Sequence, residues 1–220
     1  MNEEEFIQMD KGGVGDWWYD ARRIMLEREL SSTPLKSGAK ILDLAAACGG
    51  NFDICSQYGK VIGLDISWSS IEYCKKNKNV TLVQANAEIL PFAKESIDIV
   101  VALDVLEHLE DDSCSMREIQ RILKKDTGKL IFNTPAFMAL FSGHDIAFHH
   151  YRRYKTSDLR KKLEAAKLKI GFITYWSFFI FPLGSLTPIA ANIPIMTNPM
   201  PVNSIVPGIS FRINAPSKVP

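Results

Sequence analysis

The sequence predicts an α/β protein, built as a doubly wound, mostly parallel sheet of seven strands with helices on both faces. Five short apolar runs alternate with helical stretches between residues 40 and 133, and such alternation is typical of right-handed βαβ units. Continuous apolar runs without polar alternation indicate strands that are buried on both faces. A chain of 220 residues is enough for one good core, so we expect a single domain over residues 1–220.

Composition and charge limit the kinds of partner that the protein can have. Lys and Arg number 26 against 25 Asp and Glu, so no overall basic field points to nucleic acid, and none is expected as a partner. The four cysteines lack CxxC or Cys/His ligand spacing, which predicts reduced thiols and no metal site. The N-terminus, M-N-E-E-E, is acidic and lacks the apolar stretch of a signal peptide. We therefore expect a cytoplasmic protein.

The first predicted element is a helix over residues 16–30, which Asp16 can cap. Two interpretations of this helix stay open. It either covers a sheet edge or forms a lid, with Tyr19 and Arg22 reaching a ligand.

The five apolar runs follow, and the first belongs to the stretch Lys40–Phe52. There a strand ends in a loop of small residues, and Asn51 and Phe52 open a helix whose first N–H groups face the same space. Helices are expected from Trp68 to Lys76 and from about Asp112 to Leu123. The five strands are predicted at Ile41–Leu44, Lys60–Asp65, Val80–Val83, Ile97–Leu103 and Lys129–Asn133.

Beyond residue 136 the pattern continues with a helix over Thr156–Lys167 and a sixth strand over Leu168–Tyr175. A last strand at the sheet edge is expected over Ile209–Ile213. No charged residue occurs between Ile170 and Ser210, but prolines interrupt that region, which argues against a membrane-spanning helix. Instead of a membrane-spanning helix, we expect this region to form an apolar cap or a peripheral membrane contact.

Polar groups follow several of the predicted strands, and ligands of open α/β sheets bind beyond these carboxyl ends. Asp65 is suited to accept two hydrogen bonds from a ribose diol. Asn86 and Ala87 could contact an adenine edge, and Leu103 and Asp104 could meet an amino-acid ammonium group. The order and spacing of these positions predict a nucleoside-type binding site.

The loop after the first strand distinguishes between classes of nucleotide ligand. A dinucleotide site needs G-x-G-x-x-G, so that pyrophosphate can lie against bare backbone. This loop offers only Gly49 and Gly50, after alanines at 45 to 47. Alanine methyl groups would crowd a pyrophosphate, which argues against a nicotinamide oxidoreductase. They are compatible with a thinner linking portion, such as that of S-adenosylmethionine.

With these stretches in order, the chain resembles the class I S-adenosylmethionine-dependent methyltransferases, which have a Rossmann-like sheet. It is most similar to the group with the type 11 methyltransferase domain, over about Lys40–Pro135. The stretches that carry the resemblance are L-D-L-A-A-A-C-G-G-N-F, V-I-G-L-D-I-S, A-N-A-E-I-L-P-F, D-I-V-V-A-L-D-V-L-E-H-L-E-D-D and G-K-L-I-F-N-T-P.

The resemblance implies an enzyme with S-adenosyl-L-methionine as cofactor and a small-molecule or lipid-linked methyl acceptor. It places the Ala45–Gly49 loop along the methionine part, and Leu103 and Asp104 near the sulfonium. The family usually has glycine where Ala45 and Ala47 stand, and alanine is tolerated there if φ is negative. The alternative is a non-catalytic, cofactor-binding or regulatory member. The predicted cofactor-binding residues are Asp43, Ala45, Ala46, Ala47, Gly49, Asp65, Ile66, Asn86, Ala87, Leu103 and Asp104.

The stretch His144–Tyr154, H-D-I-A-F-H-H-Y-R-R-Y, supplies the candidates for the acceptor side. No catalytic residue is assigned, but His150 and Tyr154 are the candidates for a base or an orienting group. Alternatively, this loop closes its own hydrogen bonds and pairs with Asp145. The predicted segments are a lid (16–30), a cofactor core (38–135) and a substrate side (136–220). The predicted substrate-binding residues are Tyr19, His144, His150 and Arg153.

Overall fold

The computed structural model describes residues 17–176 and 208–214. The predicted capping residue Asp16 and most of the charge-free region lie outside the described residues. The strands are β1 (Lys40–Leu44), β2 (Lys60–Asp65), β3 (Thr81–Gln84), β4 (Ile99–Leu103), β5 (Lys129–Pro135), β6 (Lys169–Trp176) and β7 (Gly208–Asn214). The helices are α1 (Trp17–Ser31), α2 (Phe52–Ser56), α3 (Trp68–Cys74), α4 (Asp112–Ile122), α5 (Gly143–Ala147) and α6 (Thr156–Ala165), with 3₁₀ turns at Leu106–His108 and Met138–Leu140.

The seven strands lie in one sheet in the order β3-β2-β1-β4-β5-β7-β6. The pairs among β1 to β5 are parallel, and β7 is antiparallel to both β5 and β6. This arrangement confirms the predicted mostly parallel, doubly wound fold. The expectation that the last strand forms the edge is wrong. β7 lies inside the sheet and β6 is the edge, since β5 and β6 both pair with the strand that comes last in sequence.

A hydrophobic core lies on each face of the sheet, because the strand side chains alternate between the two faces. All five side chains of β4 are buried. On one face Leu42 and Leu130 pack with α4 and α6, through residues such as Met116 and Leu159. On the other face α1 and α2 pack through residues such as Leu26 and Phe52. Helices on both faces are therefore part of the structure, as the sequence predicts.

Two glycines allow the ring of Phe52 to lie against the backbone near the end of β1. A Cβ atom at Gly49 would lie 2.6 Å from Phe52 Cε2, and one at Gly63 would lie 2.5 Å from Phe52 Cζ. These separations leave no room for a side chain at either position. The ring thereby fixes the loop after β1 against β2, where the predicted cofactor site begins.

Several local features depart from the sequence-based expectations, mostly by one or two residues at the ends of elements. The helix α5 was not among the predicted elements, and it begins with a capping box formed by Ser142 and Asp145. The third strand begins and ends one residue later than predicted. Within the described residues no helix is both long and apolar enough to cross a membrane.

Candidate active site

The loop after β1 enters the left-handed region at three residues. Ala45 has a φ of 57° and Ala47 a φ of 47°, and Gly49 follows with 79°. The condition under which alanine is tolerated at these two positions, a negative φ, is therefore not met. A left-handed conformation strains an L-residue by about 1–2 kcal/mol, which explains the preference for glycine at these positions.

Asp65, at the end of β2, holds this loop in place. Its two carboxylate oxygens accept backbone N–H groups, from Ala47 at 2.9 Å and from Ser67 at 2.8 Å. The side chain is largely buried, with 8% of the residue exposed. Each carboxylate oxygen has more than one acceptor site, so both can accept further donors from a ligand.

Asp43 lies beneath the same loop, within β1. Burial raises its pKa to about 7, while a hydrogen bond from Asn51 and the charge of Arg22 act in the opposite direction. The Asn51 amide nitrogen is 3.1 Å from Asp43 Oδ1. Asn51 precedes α2, so this contact joins the start of the helix to the strand.

Asp104, directly after β4, connects the strand tips to the N-terminal helix. It has a φ of 54°. Asn133 donates to its Oδ1 at 2.7 Å, and Arg22 Nη1 donates to its Oδ2 at 2.7 Å. The Arg22 guanidinium also lies 4.8 Å from the centroid of the Tyr19 ring. This geometry favours the lid interpretation of α1, because Tyr19 and Arg22 both lie next to the strand tips.

The remaining cofactor candidates lie around the same strand ends. Asn86 is exposed after β3, and its side-chain oxygen accepts the Glu88 N–H at 2.9 Å. Ile66 is 67% exposed beside Asp65. Ala87 and Leu103 are buried beneath them. The convergence at the switch between β1 and β4 is the one expected for ligand binding in this class of fold.

The sequence reasoning missed Asn133 as a site residue. Besides its contact with the Asp104 carboxylate, its Oδ1 accepts the Asp104 N–H at 3.0 Å. The signal was the asparagine in the otherwise apolar run L-I-F-N at the end of β5, since a buried amide needs partners.

The loop after β5 folds around Asp145, which is fully buried. Arg153 donates to both of its oxygens, at 2.7 and 2.8 Å, and His150 Nδ1 lies 2.9 Å from Oδ1. Burial disfavours the charged form of Asp145, yet these hydrogen bonds hold its pKa at about 2. The loop therefore pairs with Asp145, as one of the two sequence interpretations expected.

Two acceptor-side candidates have buried partners inside the protein. The Arg153 side chain is only 4% exposed and pairs with Asp145. The Tyr154 hydroxyl lies 2.7 Å from Asp112 Oδ2 and 3.1 Å from the Leu106 carbonyl oxygen, and burial raises the pKa of Tyr154. Roles for Arg153 in substrate binding and for Tyr154 as a base stay predictions.

Three histidine rings remain together beside the same loop. The His108 and His150 centroids are 4.5 Å apart, and those of His144 and His150 are 6.4 Å apart. Burial and the neighbouring His150 lower the pKa of His108 to about 4. Glu107, which precedes His108, is fully buried, and its Oε2 accepts the Thr134 hydroxyl at 2.9 Å. This histidine cluster is the part of the acceptor side with ring nitrogens available for chemistry.

The chain is similar to known proteins in both sequence and structure. Residues 42–132 match the family model described as a methyltransferase domain. A ubiquinone/menaquinone biosynthesis C-methyltransferase of Shewanella frigidimarina is 31% identical over 134 residues, which cover 53% of this chain and 52% of that protein. A probable S-adenosylmethionine-dependent methyltransferase of Mycobacterium tuberculosis is 25% identical over 164 residues, which cover 73% and 57%. The chain spans about half the length of the curated relatives it matches.

Among solved structures, a methyltransferase-like protein of Bacillus halodurans superposes with a TM-score of 0.65 at 20% identity. The match covers 87% of this chain and 99% of that one. A likeness at this level of identity establishes the common fold.

Proposed function

The chain belongs to the class I S-adenosylmethionine-dependent methyltransferases, and on this premise we propose that it transfers a methyl group to a small-molecule or lipid-linked acceptor. The observation that carries the proposal is the junction of the Ala45–Gly49 loop with Asp65. The Ala47 N–H binds the Asp65 carboxylate at 2.9 Å, at the tips of adjacent strands, and the carboxylate keeps acceptor sites for a ligand.

In this proposal the strand tips hold the parts of the cofactor in turn. Asp65 accepts the ribose hydroxyls, and the exposed Asn86 lies at the adenine edge with Ile66. The Ala45–Gly49 loop borders the methionine portion, and Asp104 lies near the sulfonium. When bound, S-adenosylmethionine supplies an activated methyl group for in-line displacement. The chain mainly has to align the two partners, and such alignment is worth roughly 7–11 kcal/mol of a barrier.

On the acceptor side we assign His150 to contact the substrate. Asp145 accepts or shares the proton at Nδ1, which fixes the ring and leaves Nε2 to face the acceptor. When the acceptor is a hydroxyl or amine, Nε2 takes its proton as the methyl group is transferred, an effect of about 10²–10⁴ in rate. Tyr19 and His144 border the same space as binding residues.

The names of the relatives support a quinone-type acceptor, because one is a ubiquinone/menaquinone biosynthesis C-methyltransferase. Met138, Ile146 and Phe148 are large exposed apolar side chains on the acceptor side, which suits an apolar or prenylated substrate. A peripheral membrane contact would fit such a substrate, and a cytoplasmic location is part of the same proposal.

The first experiment measures S-adenosylmethionine binding by isothermal titration calorimetry. For Asp65→Ala we expect a loss of about 1.5–3 kcal/mol, or roughly tenfold to 150-fold in Kd, because charged hydrogen bonds to the ribose are removed. Asp53→Asn is the matched control, since Asp53 pairs with Arg23 on the surface of α2. Asp65→Asn keeps one acceptor oxygen for the Ala47 N–H and guards against misfolding. Unchanged binding in both Asp65 variants would contradict the proposal.

A second candidate is a member that binds the cofactor without turnover. Ala45 and Ala47 motivate it, because they adopt positive φ at positions where the family usually has glycine. A labelled-methyl assay over prenylated hydroquinones and cell extract distinguishes the two. Methyl transfer that falls in His150→Gln supports the enzyme, and binding with no transfer to any fraction supports the second candidate.

A further inference from the structure

We propose that Glu107, His108 and His150 bind a divalent transition-metal ion of the zinc class. Each of the three side chains offers one ligand atom, and these atoms lie within 4.8 Å of one another. Two imidazoles and one carboxylate are a set found in zinc sites that keep an open coordination position. The proposal goes beyond methyl transfer, because the binding of the ion does not depend on the cofactor.

The first argument is an unpartnered oxygen of Glu107. The residue is fully buried, and its Oε2 accepts the hydroxyl of Thr134. Oε1 is also buried, and within the described residues it has no hydrogen-bond partner. Buried carboxylate oxygens without a partner are costly. A cation at the cluster would satisfy this oxygen.

The second argument is that the imidazole of His150 is already oriented as a metal ligand usually is. Ligating histidines commonly donate their other ring N–H to a carboxylate or a backbone carbonyl. His150 Nδ1 lies 2.9 Å from Asp145 Oδ1. The Nε2 atom of this ring is therefore left for an ion.

The outer partner Asp145 is itself rigidly held. Arg153 binds both of its oxygens, and the Ser142 N–H donates to Oδ2 at 2.8 Å. This network fixes the orientation of His150 before any ion arrives. Pre-oriented ligands reduce the ordering that binding requires, which strengthens the case for a built site.

The donor set also selects the class of ion. Magnesium and calcium prefer oxygen ligands, whereas imidazole nitrogen suits zinc, cobalt and related ions. Glu107 and His108 lie on the turn that follows Asp104 by three and four residues. With an ion bound, Nε2 of His150 would be a ligand of the ion and would not contact the acceptor directly. If methyl transfer takes place there, the ion would contact an acceptor oxygen instead.

Equilibrium dialysis of the full, untagged and chelator-stripped chain against Zn²⁺ or Co²⁺ tests the proposal without cofactor. We expect one ion per chain, and visible absorption of bound Co²⁺. Glu107→Gln and His108→Ala should each raise the Kd for the ion by at least tenfold to 100-fold. Loss of an outer partner of a ligand already lowers metal affinity by that factor, and loss of the ligand itself should lower it at least as much. His149→Ala is the matched control, because His149 is an exposed histidine outside the three ligands.

Three results would overturn the proposal. These are less than one ion per chain at saturation, equal affinity in wild type and both ligand variants, or Mg²⁺ binding as tight as Zn²⁺. Circular dichroism verifies the fold of each variant. If Glu107→Gln does not fold, His108→Ala decides the outcome, because His108 is the most accessible of the three ligands. Cofactor calorimetry is a separate measurement. A negative metal-binding result therefore does not contradict the proposed methyl transfer.

Discussion

The two halves of the crevice differ in how far their polar residues pair with one another. In the cofactor half, at the tips of β1 to β4, Asp104 pairs with Arg22, but Asp65 accepts backbone N–H groups and keeps acceptor sites for a ligand. In the acceptor half, after β5, the charged groups mostly bind one another. Arg153 is paired with Asp145, and Tyr154 binds Asp112.

A run of polar residues in a sequence is therefore a weak predictor of which side chains contact a ligand. Charged groups that leave water need partners of their own, so a buried loop satisfies its side chains internally. The polar groups that keep no internal partner indicate where a ligand can bind. Among the described residues of the acceptor half, these include one oxygen of Glu107 and Nδ1 of His144, together with the His108 ring and Nε2 of His150.

The largest effect is expected when the internal pairing of the acceptor half is removed. Arg153→Ala leaves the buried Asp145 carboxylate without its main partner, and we expect a loss of about 3–5 kcal/mol in the free energy of unfolding. Arg152→Ala is the control, because Asp112 keeps Lys162 and Tyr154 as partners, and it should lose about 1 kcal/mol or less. Urea denaturation measures both, and equal losses would contradict a self-paired loop.

A second test uses pH on the cofactor half. The folded pKa of Asp43 is about 7 because the carboxyl is buried, against roughly 3.9 in an unfolded chain. The folded state thus holds a proton that the unfolded state releases, and stability falls as pH rises from about 4 to 7, by at most about 4 kcal/mol. Arg22, Asn51 and Asp65 are the polar groups that act on this carboxyl.

Asp43→Asn should reduce that slope, since the amide does not titrate, while the buried Glu107 carboxyl, whose pKa burial also raises, keeps its own contribution. Urea denaturation of the cofactor-free protein at pH 4.5 and at pH 7.5 measures it. Asp53→Asn provides the comparison, because Arg23 lowers the pKa of that exposed carboxyl. A slope in Asp43→Asn as steep as in wild type would rule out Asp43 as its source.

The smallest effect concerns the strained loop. Ala47→Gly should raise the free energy of unfolding by about 1 kcal/mol, because glycine adopts positive φ without strain. Ala46, which lies between the two left-handed alanines and is not one of them, is the matched control. There glycine should cost about 0.5–1 kcal/mol. Thermal denaturation compares the two, and stabilisation by both or by neither would remove the link between φ and strain.

Much of the fold and the cofactor half could be predicted from sequence, because both follow from local pattern. Apolar runs that alternate with helices require a parallel sheet, and parallel strands place Asp65, Asn86 and Asp104 at one edge. The position of β7 could not be predicted in this way. Its pairing with β5 joins segments far apart in sequence, and no local signal specifies a distant neighbour.

The sequence by itself therefore determined the doubly wound sheet and the edge at which a ligand would bind. Only the tertiary structure decided the sign of φ at Ala45 and Ala47 and the partner of each charged group after β5. The physical reason is that strand formation depends on the hydrophobicity of neighbouring residues. Backbone handedness in a loop, and pairing such as that of Arg153 with Asp145, depend on what the rest of the chain packs against them.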